Sequence, residues 1–273
     1  MKIFISVDLE GISGVCHEAQ ATMGTPEYRH AVELMHGDVR AAVEGCRDGG
    51  AVEVVVCDAH DYQRNLHADL IPEDAVLASG QPTALTMLHG LDESFAAALF
   101  IGYHAMAGTR AAVLDHTYTY DVFRVRMDEY LEVGEFGINA GLAGRFGVPV
   151  LFVSGDAAVC AEAAELLPGV ETATVKTGTG RTSALLQPPA VAHAAIRRGV
   201  AKALRAQARP GTVNFSDMPM RVTFFWSRAC DNAAICPGVE RVDGRTLQIP
   251  AGDYLETYRT FLTVLDLARA ARQ

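Results

Sequence analysis

Asp8 and Glu10 follow an apolar run at residues 3–5, close to the start of the chain. The run is typical of a buried β-strand, and a spacing of two residues puts both carboxylates on one face of a strand. Two like charges at the end of a buried strand repel each other and lose hydration, so a bound cation would stabilise the pair. A pair that simply points into water is the alternative interpretation of this segment by itself.

Two later apolar segments also end in residues that bind metal ions. Residues 51–57 run into an Asp-Ala-His sequence that ends at His60, and residues 97–103 run into His104. Ligands of open α/β sheets bind outside the carboxyl ends of the strands, so we expect these imidazoles to meet the acidic pair. Carboxylates and imidazoles are the ligands expected for Zn²⁺ or a similar divalent ion. The sequence has no cysteine pairs at zinc-finger spacing, which argues against a structural zinc site.

His116 and Glu135 are two further residues whose chemistry suits such a site. His116 lies in a loop-like segment, where an imidazole beside a metal is a candidate for catalysis and a solvated loop histidine is the alternative. Its neighbours Asp115 and Thr117 are candidates for orienting the ring. Glu135 begins a predicted helix, and a favourable interaction with the helix N-terminus would by itself explain an acid there. The residues alone leave both roles open.

Strand-like and helix-like segments alternate along the chain, which predicts an α/β fold with a mostly parallel central sheet flanked by helices. Residues 122–133 resemble a β-hairpin, residues 83–88 a helix and residues 178–180 a glycine-rich turn. The other strands are predicted at 3–5, 52–57, 75–78, 97–103, 148–154 and 170–176, and the other helices at 26–47, 134–145, 157–167 and 189–208.

The character of the sequence changes near residue 210, which predicts a division into two parts. Residues 1–210 are predicted to form the metal-binding α/β catalytic domain. Residues 211–273 are predicted to form a small C-terminal subdomain packed on it, with a strand at 220–226 and a helix at 252–271.

Composition excludes several classes of partner. The net charge of −10 and the pI of about 5.3 argue against nucleic acid or an anionic membrane. No apolar run approaches the roughly 20 residues of a membrane span, and the start of the chain has no signal-peptide pattern. The six cysteines are scattered, which predicts reduced thiols in a cytoplasmic protein. Cys16 lies near the acidic pair and is either a packed loop thiol or a ligand or nucleophile.

A series of short motifs follows in order along most of the chain. They occupy residues 6–14 (SVDLEGISG), 58–60 (DAH), 64–66 (RNL), 102–105 (GYHA), 107–109 (AGT), 114–118 (LDHTY), 134–137 (GEFG), 149–150 (PV) and 154–156 (SGD). With these motifs the chain resembles the zinc-dependent D-aminopeptidases of the dipeptide-operon type. The resemblance extends to residue 241 and therefore covers nearly the whole chain.

The resemblance implies two zinc ions per subunit, with Asp8 as the carboxylate that bridges them. It implies that His116 is catalytic, as a proton-transfer group, a stabiliser of the oxyanion or a nucleophile. It also implies a homo-oligomer, a decamer of stacked rings, and no organic cofactor. The metal ligands that it implies are Asp8, Glu10, His60, His104 and Glu135.

The predicted function is that of a dinuclear zinc-dependent aminopeptidase acting on short peptides or amides with an N-terminal D-amino acid. The preference for the D-form rests on the resemblance, because no residue can be assigned to the pocket wall that selects one hand. Another dinuclear metal amidase or L-peptidase would use the same ligands and remains an alternative. A non-catalytic peptide-binding protein is the other alternative, and it would predict damaged ligands, whereas all five are present.

Overall fold

The computed structural model describes residues 1–271, which form an α/β fold with a larger and a smaller β-sheet. The strands are β1 (Lys2–Val7), β2 (Glu53–Asp58), β3 (Ala75–Ala78), β4 (Ala97–Tyr103), β5 (Val122–Met127), β6 (Leu131–Glu132), β7 (Val150–Asp156), β8 (Glu171–Gly180), β9 (Ser183–Leu186), β10 (Met220–Phe224), β11 (Glu240–Arg241) and β12 (Thr246–Ile249). The helices are α1 (Glu18–Ala21), α2 (Pro26–Asp48), α3 (Glu135–Arg145), α4 (Ala157–Leu166), α5 (Pro189–Arg205), α6 (Ser227–Ala233) and α7 (Tyr254–Ala270).

The larger sheet has the strand order β3-β2-β1-β4-β7-β8-β9. Every neighbouring pair is parallel except β8 and β9 at one edge. The register pairs Val7 with Asp58 on one side and with Ile101 on the other, so the carboxyl ends of β2, β1 and β4 lie side by side. The prediction of a mostly parallel central sheet flanked by helices is confirmed.

Strand β1 lies inside this sheet, and its side chains alternate between two cores. Ile3 and Ile5 pack in the core that α2 and α5 cover, together with Val39 and Ile196. Phe4 enters the opposite core, to which α3, α4 and α7 contribute. Because both faces are covered, β1 is apolar almost throughout, and its acidic neighbours come only after the strand ends.

The smaller sheet has the order β11-β12-β10-β5-β6, with antiparallel neighbours throughout. It contains the hairpin predicted at residues 122–133, formed by β5 and β6. It also takes strands from both sides of residue 210, because β10 pairs with β5. The predicted division into 1–210 and 211–273 stays a prediction, and its last two residues lie outside the described range.

Three local predictions differ from the structure. The helix expected at residues 83–88 is only a 3₁₀ turn, Thr86–Leu88. The turn expected at residues 178–180 belongs to β8, and its glycine has a packing reason, because a Cβ on Gly178 would lie 2.0 Å from the carbonyl oxygen of Ala111. The sequence did not predict strands β9, β11 and β12 or helices α1 and α6. Within residues 1–271, none of the helices combines the length and apolar character needed to cross a bilayer.

Candidate metal centre

The three strand ends bring four of the predicted ligands to one edge of the large sheet. Asp8 and Glu10 follow β1, His60 follows β2 and His104 follows β4, and these side chains are 3, 3, 7 and 1% exposed, respectively. Glu135, the first residue of α3, joins them and is also buried. Acidic side chains this deeply buried need partners of opposite charge or a bound cation.

Asp8 lies between two imidazoles. Its Oδ1 is 3.3 Å from Nδ1 of His60, and its Oδ2 is 3.5 Å from Nε2 of His104. The same His60 nitrogen is 3.0 Å from Oε2 of Glu10, and the same His104 nitrogen is 3.2 Å from Oε1 of Glu135. The cluster therefore divides into a Glu10 half (Glu10, His60) and a Glu135 half (Glu135, His104), with Asp8 between them.

Backbone carbonyls set the tautomers of the three histidines. Nε2 of His60 is 2.8 Å from the oxygen of Ala21, and Nδ1 of His104 is 3.0 Å from that of Ala105. Since a carbonyl only accepts, each of these nitrogens carries a proton, and the other ring nitrogen is the one that faces the cluster and is left to bind a metal ion. This is the usual arrangement of imidazoles that bind a metal ion.

His116 is held in the same way. Its Nδ1 donates to the carbonyl oxygen of Leu114 at 2.9 Å, so Leu114 orients the ring rather than the predicted Asp115 or Thr117. The remaining nitrogen, Nε2, is 3.7 Å from Oε1 of Glu135. It lies within 4.8 Å of the ligand atoms of both His104 and Glu135, so His116 is close enough to bind either substrate or metal.

Several polar atoms of the cluster have no hydrogen-bond partner among the described residues. They are Oδ2 of Asp8, Oε2 of Glu10 and Nε2 of His104. Buried polar atoms are normally satisfied, and these three point to the space between the carboxylates and imidazoles. Oxygen and nitrogen donors in this number fit zinc ions. Cys16 packs against the core beneath α2 and belongs to neither ligand group.

Burial and neighbouring charges shift the pKa values in opposite directions. Burial raises the pKa of Asp8 to about 7, and the charge of Glu10 adds to the rise. Burial would also raise the pKa of Glu10, but the neighbouring imidazoles, His60 foremost, hold it well below its usual range. Burial and the nearby His104 lower the pKa of His116, so its imidazole is neutral at pH 7 and can accept a proton.

The loop after β2 is closed by a buried carboxylate. Asp58 accepts hydrogen bonds from the backbone nitrogens of Asn65 at 2.5 Å and Leu66 at 2.7 Å. The amide nitrogen of Asn65 donates in turn to the carbonyl oxygen of His60 at 2.7 Å. His60 is thereby held at both its backbone and its ring.

Aromatic stacking links the Glu135 half to the surface. The rings of His104 and His116 stack at 4.1 Å with an interplanar angle of 9°, and Tyr120 lies 4.9 Å beyond His116. Tyr120 is 47% exposed, and the guanidinium of Arg181 lies 5.3 Å from its ring. The stack runs from the buried His104 to solvent, so it marks the open side of the site.

The sequence interpretation missed Tyr120, Arg181 and Tyr118, whose backbone nitrogen donates to Oε1 of Glu135 at 2.6 Å. The two tyrosines follow His116 at a spacing of two and four residues, and that spacing was the only available signal.

Comparison with known proteins identifies a family of metal-dependent peptidases, consistent with the buried cluster of carboxylates and imidazoles. The sequence profile of the D-aminopeptidase family matches residues 1–263. A D-aminopeptidase of Bacillus subtilis (strain 168) is 34% identical over 270 residues, covering 98% of each chain. This chain belongs to the D-aminopeptidase family. Its fold matches the solved structure of DppA, a Zn-dependent D-aminopeptidase from Bacillus subtilis described as a self-compartmentalizing protease, with a TM-score of 0.95, 33% identity and 98% coverage of both chains.

Proposed function

We propose that this chain is a zinc-dependent D-aminopeptidase that binds two zinc ions per subunit and releases an N-terminal D-amino acid from short peptides or amides. The placement of Asp8 supports this most directly, because each of its oxygens faces a different imidazole of a buried cluster. A carboxylate in that position suits a bridge between two cations. The ligands in this proposal are Asp8, Glu10, His60, His104 and Glu135.

Zinc ions bound in this cluster would supply Lewis-acid activation of the scissile carbonyl and of a water molecule. His116 supplies proton transfer, because its Nε2 is unprotonated at pH 7 and faces the cluster. It takes a proton from the attacking water and returns it to the leaving amine. The Leu114 carbonyl keeps the ring in the tautomer that this role requires.

The open side of the site gives peptides their route of entry. Tyr120 lines it beside His116, and buried carboxylates lie behind. An acidic site of this kind can pair with the free α-ammonium group of a substrate. The preference for a D-residue is supported by family membership.

The protein is proposed to form a homo-oligomer, a decamer, and to work in the cytoplasm. A solved relative is described as a self-compartmentalizing protease. Exposed apolar side chains such as Trp226, Ile235 and Leu185 supply surface suited to subunit contacts. All six cysteines are unpaired, in keeping with a reducing compartment. Light scattering tests the assembly, and a particle of 29.2 kDa, the mass of one chain, would contradict it.

Metal analysis combined with substrate profiling tests the function. We expect two zinc ions per chain, loss of activity after chelation and recovery after zinc is returned. D-alanine amide should have a far larger kcat/KM than L-alanine amide, and N-acetylation should abolish turnover. Equal rates on the two enantiomers would leave a metal amidase but refute the D-preference. Full activity in metal-free protein would refute the metal chemistry itself.

A further inference from the structure

Lys176 is a buried lysine whose side chain reaches the segment that carries Glu10. It lies in β8, is 1% exposed, and its Nζ donates to three backbone carbonyl oxygens. The acceptors are Glu10 at 2.5 Å, Ile12 at 2.9 Å and Val15 at 2.6 Å. An ammonium group has three N–H donors, so each donor has one carbonyl.

A buried charge of the opposite sign also holds this segment. Asp38, in α2, is fully buried and accepts hydrogen bonds from the backbone nitrogen of Ser13 at 2.9 Å and from its hydroxyl at 2.6 Å. Lys176 thus donates hydrogen bonds to carbonyl groups of residues 10–15, and Asp38 accepts hydrogen bonds from donors of the same segment. Residues 10–13 are buried and lie outside regular strands and helices, so their polar groups need such partners.

The segment is also pressed against β4. The nitrogen of Gly11 donates to the carbonyl oxygen of Gly102 at 2.8 Å, and a Cβ on Gly11 would lie 1.9 Å from the carbonyl oxygen of Tyr103. With these contacts on one side and Lys176 on another, the backbone of Glu10 has little freedom. Its carboxylate is thereby kept 3.0 Å from Nδ1 of His60.

We propose that Lys176 is a positioning residue of the metal centre. Its ammonium group binds three backbone carbonyls of residues 10–15, much as a bound monovalent cation would, and thereby fixes the position of Glu10. Two buried charges are costly to keep, and an apolar side chain would usually serve packing as well. Their use at this segment is explained if the placement of Glu10 must be accurate. The inference that Lys176 affects zinc binding rests on the proposed function. The inference that Lys176 restrains residues 10–15 does not.

Hydrogen exchange of the metal-free protein tests the effect on the segment. Lys176→Met should raise amide exchange in residues 10–15 and leave residues 135–145 unchanged. Lys202→Met is the matched control, since Lys202 is exposed and pairs with Glu171. Exchange at the wild-type rate in residues 10–15, or a uniform rise over the whole chain, would overturn the positioning role.

Zinc affinity, measured by competition with a chelator, tests the effect on the site. Lys176→Met should lower the affinity for one of the two zinc ions by about 10- to 100-fold. This is the range seen when a group that supports a metal ligand is removed. In Lys176→Ala, added n-propylammonium replaces the atoms that the substitution removes and should restore that affinity, whereas tetramethylammonium, which has no N–H, should not. An equal loss of affinity for both zinc ions, or a failure of n-propylammonium to restore the affinity, would overturn the proposal. If wild-type protein binds no zinc, the proposed function fails, and the exchange result still decides the role of Lys176.

Discussion

The two halves of the metal centre are held in place in different ways. In the Glu10 half, the segment that carries Glu10 is hydrogen-bonded by buried Lys176 and Asp38, and the His60 ring is tied to the Ala21 carbonyl. The Glu135 half is also buried, with Glu135 accepting from the backbone nitrogen of Tyr118 and His104 donating to the Ala105 carbonyl, but it continues through a stack of rings to solvent. We therefore expect the Glu135 half, rather than the Glu10 half, to meet the substrate.

A different ionisable group lies close to each half of the cluster. Around the Glu10 half, the ammonium of Lys176 has three acceptors. Behind the Glu135 half, Glu162 accepts a hydrogen bond from the backbone nitrogen of Met106, but its Oε1 has no hydrogen-bond partner within residues 1–271. A half-buried acid with an incomplete set of partners makes this half sensitive to pH.

Asp8→Asn should have the largest effect, because Asp8 belongs to both halves. A neutral amide is a poor bridge between cations, and metal ions contribute several kcal/mol to hydrolysis, so kcat/KM should fall by about 10³-fold or more. Zinc content should fall for both sites together. Asp8→Asn protein that keeps two zinc ions would disprove the bridging role and make the halves independent.

His116→Ala should separate chemistry from metal binding. Loss of a general acid–base group typically lowers kcat by about 10²- to 10⁴-fold. Zinc content should stay near that of the wild type, because all five proposed ligands remain. Stoichiometric loss of one zinc ion would instead make His116 a ligand of the Glu135 half, which its distance from Glu135 also allows.

Substitution of Tyr120 should affect substrate binding more than metal binding. Tyr120→Ala should raise KM about three- to tenfold, the equivalent of an aromatic contact of about 0.5–1.5 kcal/mol, with zinc content unchanged. Tyr120→Phe keeps the ring beside His116 and should stay within about twofold of the wild type. A wild-type KM in Tyr120→Ala would show that the stack does not mark the substrate side.

Glu162 should give the smallest effect, a dependence of stability on pH. Burial raises the pKa of Glu162 from its ordinary value of 4.5 to about 7. The folded protein therefore holds this proton more tightly, and the resulting stability is fully present below pH 4.5 and lost as the pH rises through about 7.

Glu162→Gln removes this loss, so in metal-free protein its advantage in free energy of unfolding should grow between pH 5 and pH 8, to at most about 3 kcal/mol for a pKa raised from 4.5 to about 7. Glu165→Gln, an exposed position of the same helix, is the control. Denaturant unfolding at several pH values measures both variants. An advantage that is the same at every pH would place the ionisation of Glu162 outside this range.

The alternation of apolar strands and amphipathic helices was enough to predict the large sheet, because burial of both faces leaves a clear pattern of apolar runs. The N-terminus of α2 was equally readable, since Thr25 caps it through the backbone nitrogen of Tyr28. The glycines of β8 were wrongly interpreted as a turn. Gly178 is needed because the loop at Ala111 packs directly on it, and a contact with a distant segment leaves no local signal in the sequence. Short strands such as β9 and β12 carry too few residues for a periodic signal.

For the site, the sequence by itself determined that carboxylates and imidazoles follow three of the strands, and parallel strands in one sheet must bring those ends together. Only the tertiary structure decided how they are held. Lys176 and Glu10 are 166 positions apart in the chain, and neither residue has a local pattern that refers to the other. The same applies to Asp38 and to the ring stack that ends at Tyr120. Strand ends are readable because they belong to a repeating local geometry, whereas a buried charge finds its acceptors only when distant segments pack.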